Sequence, residues 1–323
     1  MADPPIDPER GGLLAGPIPA AAGPIPAAAG SSPGVAGPIP VPARLVPPRL
    51  LWLVIAGSLG TSVVLGSRDP VLWLLGALGF AGAFLSGLVG VGGAIVMIPL
   101  LLYVPPILGF AGLDIRTVAG ITIVQVTVAG AVGFTGHRGR IDRRLVLAVG
   151  ASMTLAAFAG GLASASVDPL VLRAVFATMA AAAAVVTLAL RHRTTPWYPG
   201  PLAFSRPLAA TLGAGIGFFA ALIGAGGAFL LMPAMLFWLR IPVRAAVGAS
   251  LATVAISAGA GLLGKAVTGQ VDWTLAAGLV AGALPGSLVG ALVSHRTRVE
   301  HLATVLGVVI ALVALKMWLE ILG

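Results

Sequence analysis

Two short segments of this chain have the residue types needed to hold an anion without a cationic side chain. The first reads Gly90-Val91-Gly92-Gly93-Ala94-Ile95-Val96-Met97-Ile98-Pro99. The second reads Gly224-Ala225-Gly226-Gly227-Ala228-Phe229-Leu230-Leu231-Met232-Pro233. Both are G-x-G-G-A, four further residues, then Pro, at an offset of 134. The apolar run after each cluster predicts a helix that starts there. The first amides of a helix have no intrahelical acceptor and carry the positive end of its dipole. An oxyanion can take those N–H groups, and glycine removes the Cβ that would hold it away. Gly90, Gly92, Gly93, Gly224, Gly226 and Gly227 are thus candidate binding residues. Taken alone, tight turning and packing explain such a cluster equally well.

Side chains come next. Thr122, Gln125, Ser250 and Thr253 are polar residues inside apolar runs, at matched places of two similar segments. They are candidate side-chain donors to the same anion. Hydroxyls in apolar helices more often bond their own backbone, the plain reading for Thr127 and Ser257. Gln125 has the stronger claim, because an amide is costly to bury unpaired.

The chain offers little other chemistry. No Asp, Glu, Lys or Arg lies in either glycine segment, and the acids fall in the N-terminal tail or near the ends of apolar runs. His137, His192, His295 and His301 all fall in or near loops. Intramembrane proteolysis needs paired acids, or a nucleophile beside a buried base, and neither is present. Without a Walker A motif, ATP-driven pumping by this chain is not expected. There is no cysteine, which removes disulfides and thiolate metal sites. The reading is of no catalytic residue, no metal site and no cofactor.

These residues must be positioned by membrane helices. Of the 323 residues 58% are hydrophobic and 9% are charged, too few charges to cover a water-facing surface. The net charge of +9 sits in loops with few aromatics beside it, which fits topology signals rather than nucleic acid. Apolar runs fall at 51–67, 71–89, 91–104, 116–136, 145–164, 170–190, 207–223, 225–239, 244–264, 273–294 and 301–321. Spanning a bilayer takes about 20 residues. The runs 91–104 and 225–239 are shorter, and each joins its predecessor through an uncharged glycine cluster. Two helical hairpins with tips inside the membrane are therefore expected.

Residues 1–49 differ. They are rich in Pro, Gly and Ala, and Gly-Pro-Ile-Pro begins at Gly16, Gly23 and Gly37. This predicts a disordered tail with polyproline II character, without the pattern of a signal peptide. The expected organisation is the tail at 1–49, a leading helix and first membrane repeat at 50–190, a cytoplasmic linker at 191–206 and a second repeat at 207–323.

The duplication extends past the glycines. Arg116, Gly120 and Thr122 match Arg244, Gly248 and Ser250. Gly133 and Gly136 match Gly261 and Gly264, Ile141-Asp142 matches Val271-Asp272, and Gly160 matches Gly290. With the tail cytoplasmic, the loops of Arg138, Arg140, Arg143, Arg144, Arg191, Arg193, Arg206, Arg240, Arg244, Arg296 and Arg298 fall inside. Only Arg68, Arg116, Arg173, Lys265 and Lys316 then fall outside, as the positive-inside rule prefers. Loop 137–144 is then inside and its match 265–272 outside, so the copies are inverted. The fold expected is all-α and polytopic, with two inverted helical repeats that each begin at a glycine-tipped hairpin. Such a plan permits two mirror-related shapes, one open to each side.

On the doubled G-x-G-G-A-(x4)-P segments, the helices bearing Thr122 and Ser250, and the Gly264-(x6)-Val271-Asp272 stretch, the chain resembles the sulfite exporter TauE/SafE family over roughly 71–322. The resemblance implies export or uptake of small sulfur anions such as sulfite, sulfoacetate or other organosulfonates. The family often carries a third glycine after the pair. This chain has Ala94 and Ala228 there, and a methyl group narrows the cradle. The sequence reading is a secondary transporter of a small anion in the plasma membrane, driven by membrane potential or a proton gradient. Its partners are the anion and the bilayer. Two alternatives remain: a substrate without sulfur, and a non-transporting scaffold acting through the Pro-rich tail.

Overall fold

A computed structural model describes residues 69–89, 94–136, 143–190, 204–241, 243–294 and 299–323. The tail at 1–49, the run at 51–67, Gly90, Gly92 and Gly93, and most of the 191–206 linker lie outside the described residues. Among the described residues there is no strand. Ten helices follow in order: α1 (Pro70–Val89), α2 (Ala94–Ile107), α3 (Ile115–Gly136), α4 (Arg143–Ala163), α5 (Pro169–Leu190), α6 (Arg206–Leu222), α7 (Ala228–Phe237), α8 (Val243–Val267), α9 (Trp273–Ser294) and α10 (Val299–Leu322).

The apolar runs of the sequence become these helices because each can satisfy its own backbone, as a bilayer requires. Segments in α1, α4, α5, α8 and α9 are long and apolar enough to cross one. Large apolar side chains face outward along them: Leu155 is 75% exposed, Leu147 69% and Leu263 62%. That is a surface made for lipid rather than water. The helices after the glycine clusters are short. α2 has 14 residues and α7 has 10, or about 21 and 15 Å at 1.5 Å per residue. Proline sits one turn into both, Pro99 in α2 and Pro233 in α7.

The two most extensive helix pairings are α1 with α9 and α4 with α6. Both are close approaches at glycine. A methyl group at Gly79 would collide with the Leu279 carbonyl oxygen, and one at Gly213 would stand 2.6 Å from the Val149 carbonyl oxygen. A methyl group at Gly290 would stand 3.0 Å from the Phe84 carbonyl carbon, and one at Gly160 would stand 2.9 Å from that of Phe218. The offset of 134 carries Gly79 to Gly213 and Phe84 to Phe218, while an offset of 130 carries Val149 to Leu279 and Gly160 to Gly290. The same glycine-to-backbone contact is therefore made twice. Contacts this close let helices pack without a hydrophobic driving force. α3 crosses α8, and a methyl group at Gly130 would stand 3.1 Å from the Ala255 Cα.

Candidate functional site

The second glycine segment forms a buried turn between α6 and α7. α6 stops at Leu222 and α7 begins at Ala228, and residues 221–227 are all buried. Three of its residues have left-handed backbones: Gly224 at φ 73°, Gly226 at φ 66° and Gly227, the residue preceding α7, at φ 78°. A residue with a Cβ pays about 1–2 kcal/mol in that conformation. Space is equally restrictive. A methyl group at Gly224 would run into the Ala119 carbonyl of α3. One at Gly226 would run into Val126 of α3 and stand 3.6 Å from Ala258 of α8, and one at Gly227 would stand 2.7 Å from the Met153 Cε of α4. The turn is seated among α3, α4 and α8.

Along α3 from Ile115 the contacts of the turn run from Ala119, about 6 Å away, to Val126, about 16 Å away, and Met153 lies about 15 Å along α4 from Arg143, at 1.5 Å per residue. The first turn of α7 closes its own bonds only from Leu230 and Leu231, whose amides donate to the Gly227 carbonyl at 3.2 and 2.9 Å. The amides of Gly226, Gly227, Ala228 and Phe229 precede those bonds and have no intrahelical acceptor.

The four polar candidates are all buried: Thr122, Gln125, Ser250 and Thr253. Thr122 and Gln125 are three residues apart on α3, as Ser250 and Thr253 are on α8, so each pair shares a helix face. The Thr122 and Thr253 hydroxyls and the Gln125 Oε1 have no hydrogen-bond partner. A hydroxyl in a helix can bond back to its own carbonyls, and nearby ones do so. Thr127 donates to the Ile123 carbonyl at 2.7 Å, and Ser257 to that of Val254 at 3.3 Å. Thr122 and Thr253 have the same option and do not take it. Leaving such a group buried and unpaired costs about 1–3 kcal/mol. Thr253 faces α4, where a methyl group at Gly150 would stand 3.5 Å from its Oγ1.

Lys265 departs from the sequence reading. The apolar run ends at 264, which puts Lys265 in an outside loop and leaves the spans free of charge. In the structure α8 continues to Val267, and Lys265 is fully buried in its last turn. Its ammonium donates to the Ser164 Oγ at 2.7 Å, the Leu222 carbonyl at 3.1 Å and the Gln270 Oε1 at 3.5 Å. The Ser164 hydroxyl lies 2.7 Å from the Gly161 carbonyl oxygen and 2.8 Å from the Gln270 Oε1, with one proton to give. Gln270 Nε2 donates to the Gly161 carbonyl at 3.2 Å. Lys316 pairs with Glu320 elsewhere, and among the described residues no carboxylate pairs with Lys265. The sequence signal that could have placed it is the pair of Ser164, the last residue of its apolar run, and Gln270, in the loop just after Lys265.

A cavity of about 320 Å³ lies elsewhere, among Tyr103, Asp114, Arg173 and Glu320. The Tyr103 hydroxyl donates to Glu320 at 2.9 Å there, and Lys316 stands 4.0 Å from the Tyr103 ring centre. None of the candidate residues lines it.

Comparison with known proteins agrees with the helical plan. The model of the family described as Sulfite exporter TauE/SafE matches residues 74–317. A “Probable membrane transporter protein” of Xylella fastidiosa strain 9a5c is 32% identical over 211 residues, covering 62% of this chain and 76% of that protein. One of the same description from strain Temecula1 is 32% identical over 215 residues, with the same coverage. No solved structure matches.

Proposed function

The chain belongs to the sulfite exporter TauE/SafE family, and from that premise we propose that this membrane transporter carries a small sulfur oxyanion, sulfite or an organosulfonate. The observation that supports it is the buried turn at Gly224–Gly227, three of whose residues are left-handed glycines. Buried hydroxyls without partners at Thr122 and Thr253 belong to the helices that flank it. Free amides at a helix start attract an anion. The two hydroxyls can donate to it, and the Gln125 amide, turned through half a rotation, offers N–H in place of oxygen. The anion then satisfies groups that are otherwise costly to bury.

Gly90, Gly92 and Gly93, matched in sequence and outside the described residues, are proposed to bind the same anion from the first half, with Ser250 as a further hydroxyl. The repeated contacts of α1 with α9 and of α6 with α4 support a duplicated plan, with residues 50–190 and 207–323 as the proposed halves, and the loop arginines favour their inversion. That plan suits alternating access from a site shared by both. The protein sits in the plasma membrane with its N-terminus in the cytoplasm, where the loop arginines are favoured. An anion can move down the membrane potential without a coupling ion.

Flux of radiolabelled sulfite, sulfoacetate and sulfate into proteoliposomes tests this reading. Saturable flux of at least one sulfur oxyanion is expected. Absence of flux for all three, under an imposed potential and an imposed pH gradient, defeats it.

A further inference from the structure

The turn between α6 and α7 brings two opposed helix ends together. The last carbonyls of α6 carry the negative end of its dipole, and the first amides of α7 the positive end of the other. An anion at the turn feels both. Attraction by α7 is offset by repulsion from α6 unless the α6 carbonyls are covered.

Lys265 covers them. Its ammonium donates to the carbonyl of Leu222, the last residue of α6. We propose that Lys265 is a positioning residue for the anion site: it caps the C-terminus of α6, cancels its negative end and leaves the N-terminus of α7 to act unopposed. This rests on the anion-transport reading and deepens it by naming the residue that sets the sign of the field.

Three observations carry the proposal. Lys265 is fully buried, and a buried charge within a membrane helix is expensive enough that a plain packing role would not retain it. Its three N–H groups are taken by Ser164, Leu222 and Gln270, which is all an ammonium has to give. It therefore does not touch the anion. Those acceptors are neutral, so none of them cancels the charge of the protonated amine that their geometry suits. The protonated form puts a positive charge next to a helix end that an anion would otherwise avoid. In the register that matches Gly136 with Gly264, the first half has His137 at this place, so the two halves differ in the charge they can bring.

The test uses the full chain in proteoliposomes, with sulfite as the probe. K265Q removes the charge, and K265R retains it. S164D sets a carboxylate against the ammonium and cancels the charge while keeping the lysine, with S164N as its uncharged counterpart. K265Q and S164D are expected to raise the KM for sulfite on the order of tenfold, with a smaller change in maximal rate. K265R should recover most of the affinity, and S164N should raise KM far less than S164D. Sulfite transport with KM unchanged in K265Q and S164D overturns the proposal while leaving the transport reading intact. Equal losses in S164D and S164N overturn it too, because the defect is then structural. If K265Q does not fold, the S164D and S164N pair decides. Wild-type protein that moves no sulfur oxyanion defeats the transport reading, and this proposal with it.

Discussion

Gly224→Ala tests the packing of the buried turn, and two other glycines separate its causes. Gly224 has φ 73°, and an added methyl group would collide with the Ala119 carbonyl oxygen and stand 2.6 Å from its carbon. The left-handed backbone costs about 1–2 kcal/mol once a Cβ is present. Displacing the α3 backbone costs about 1–3 kcal/mol more, so the sum is about 3 kcal/mol. Gly269 has φ 68° with nothing within 4 Å of the added methyl group, so G269A costs only the first term, about 1 kcal/mol. Gly215 lies within α6 and is also unobstructed, so G215A gains about 0.5–1 kcal/mol. Survival of detergent-solubilised protein after graded heating, read by size exclusion, should rank G215A above wild type, then G269A, then G224A. A G224A protein that survives heating as well as G269A would refute the seating of the turn against α3.

Three further outcomes are expected. Thr122→Val and Thr253→Val each remove a buried hydroxyl without a partner; thermal survival of the ligand-free protein should hold or improve by up to about 1 kcal/mol, while the KM for the transported anion rises severalfold. Reduced survival would reveal a protein partner for those hydroxyls. Gly160→Ala and Gly290→Ala meet Phe218 and Phe84 backbones at nearly the same distance, so both should lose about 2 kcal/mol; a silent result for one alone in the heating assay would break the equivalence of the two interfaces. Deleting residues 1–45 should leave anion flux intact, and its loss from a folded truncation would move the function towards the Pro-rich tail.

Much of this fold was legible because lipid imposes simple rules. The runs 71–89 and 273–294 coincide with α1 and α9 to within a residue, since an apolar segment must close its own hydrogen bonds. The short runs 91–104 and 225–239 are short helices, α2 and α7, each offset by up to three residues. Ala225, Gly226 and Gly227 are turn residues, not helix, and hydropathy does not separate those states. The partnerless state of Thr122 and Thr253 was not legible. Thr127 carries the same hydroxyl in the same helix and bonds its own backbone, so the difference lies in what packs beside each. Lys265 was hidden by the charge itself. A lysine ends the apolar run 244–264 as read from the sequence, and its acceptors come from three places, Ser164, Leu222 and Gln270.

The proposed duplication has a mechanical consequence. Each half's first helix is held by the fourth helix of the other half, α1 by α9 and α6 by α4, and both pairings are extensive. Glycine at the contacts brings backbone against backbone, which resists sliding because an offset puts side chains where only hydrogen fits. In the proposed alternating-access plan these pairs move as units. The other equivalent pairings are unequal: α4 packs along α8 more extensively than α9 packs along α3. At the tight interface a methyl group at Gly264 would stand 2.6 Å from the Phe158 carbonyl oxygen. For two inverted halves a symmetric molecule would have these interfaces alike, and one open to a single side cannot. In that proposed plan the constant pairs are the moving bodies, and the unequal interfaces are where opening and closing occur. The Lys265 contact with Leu222 joins α8 to α6 across two of those bodies.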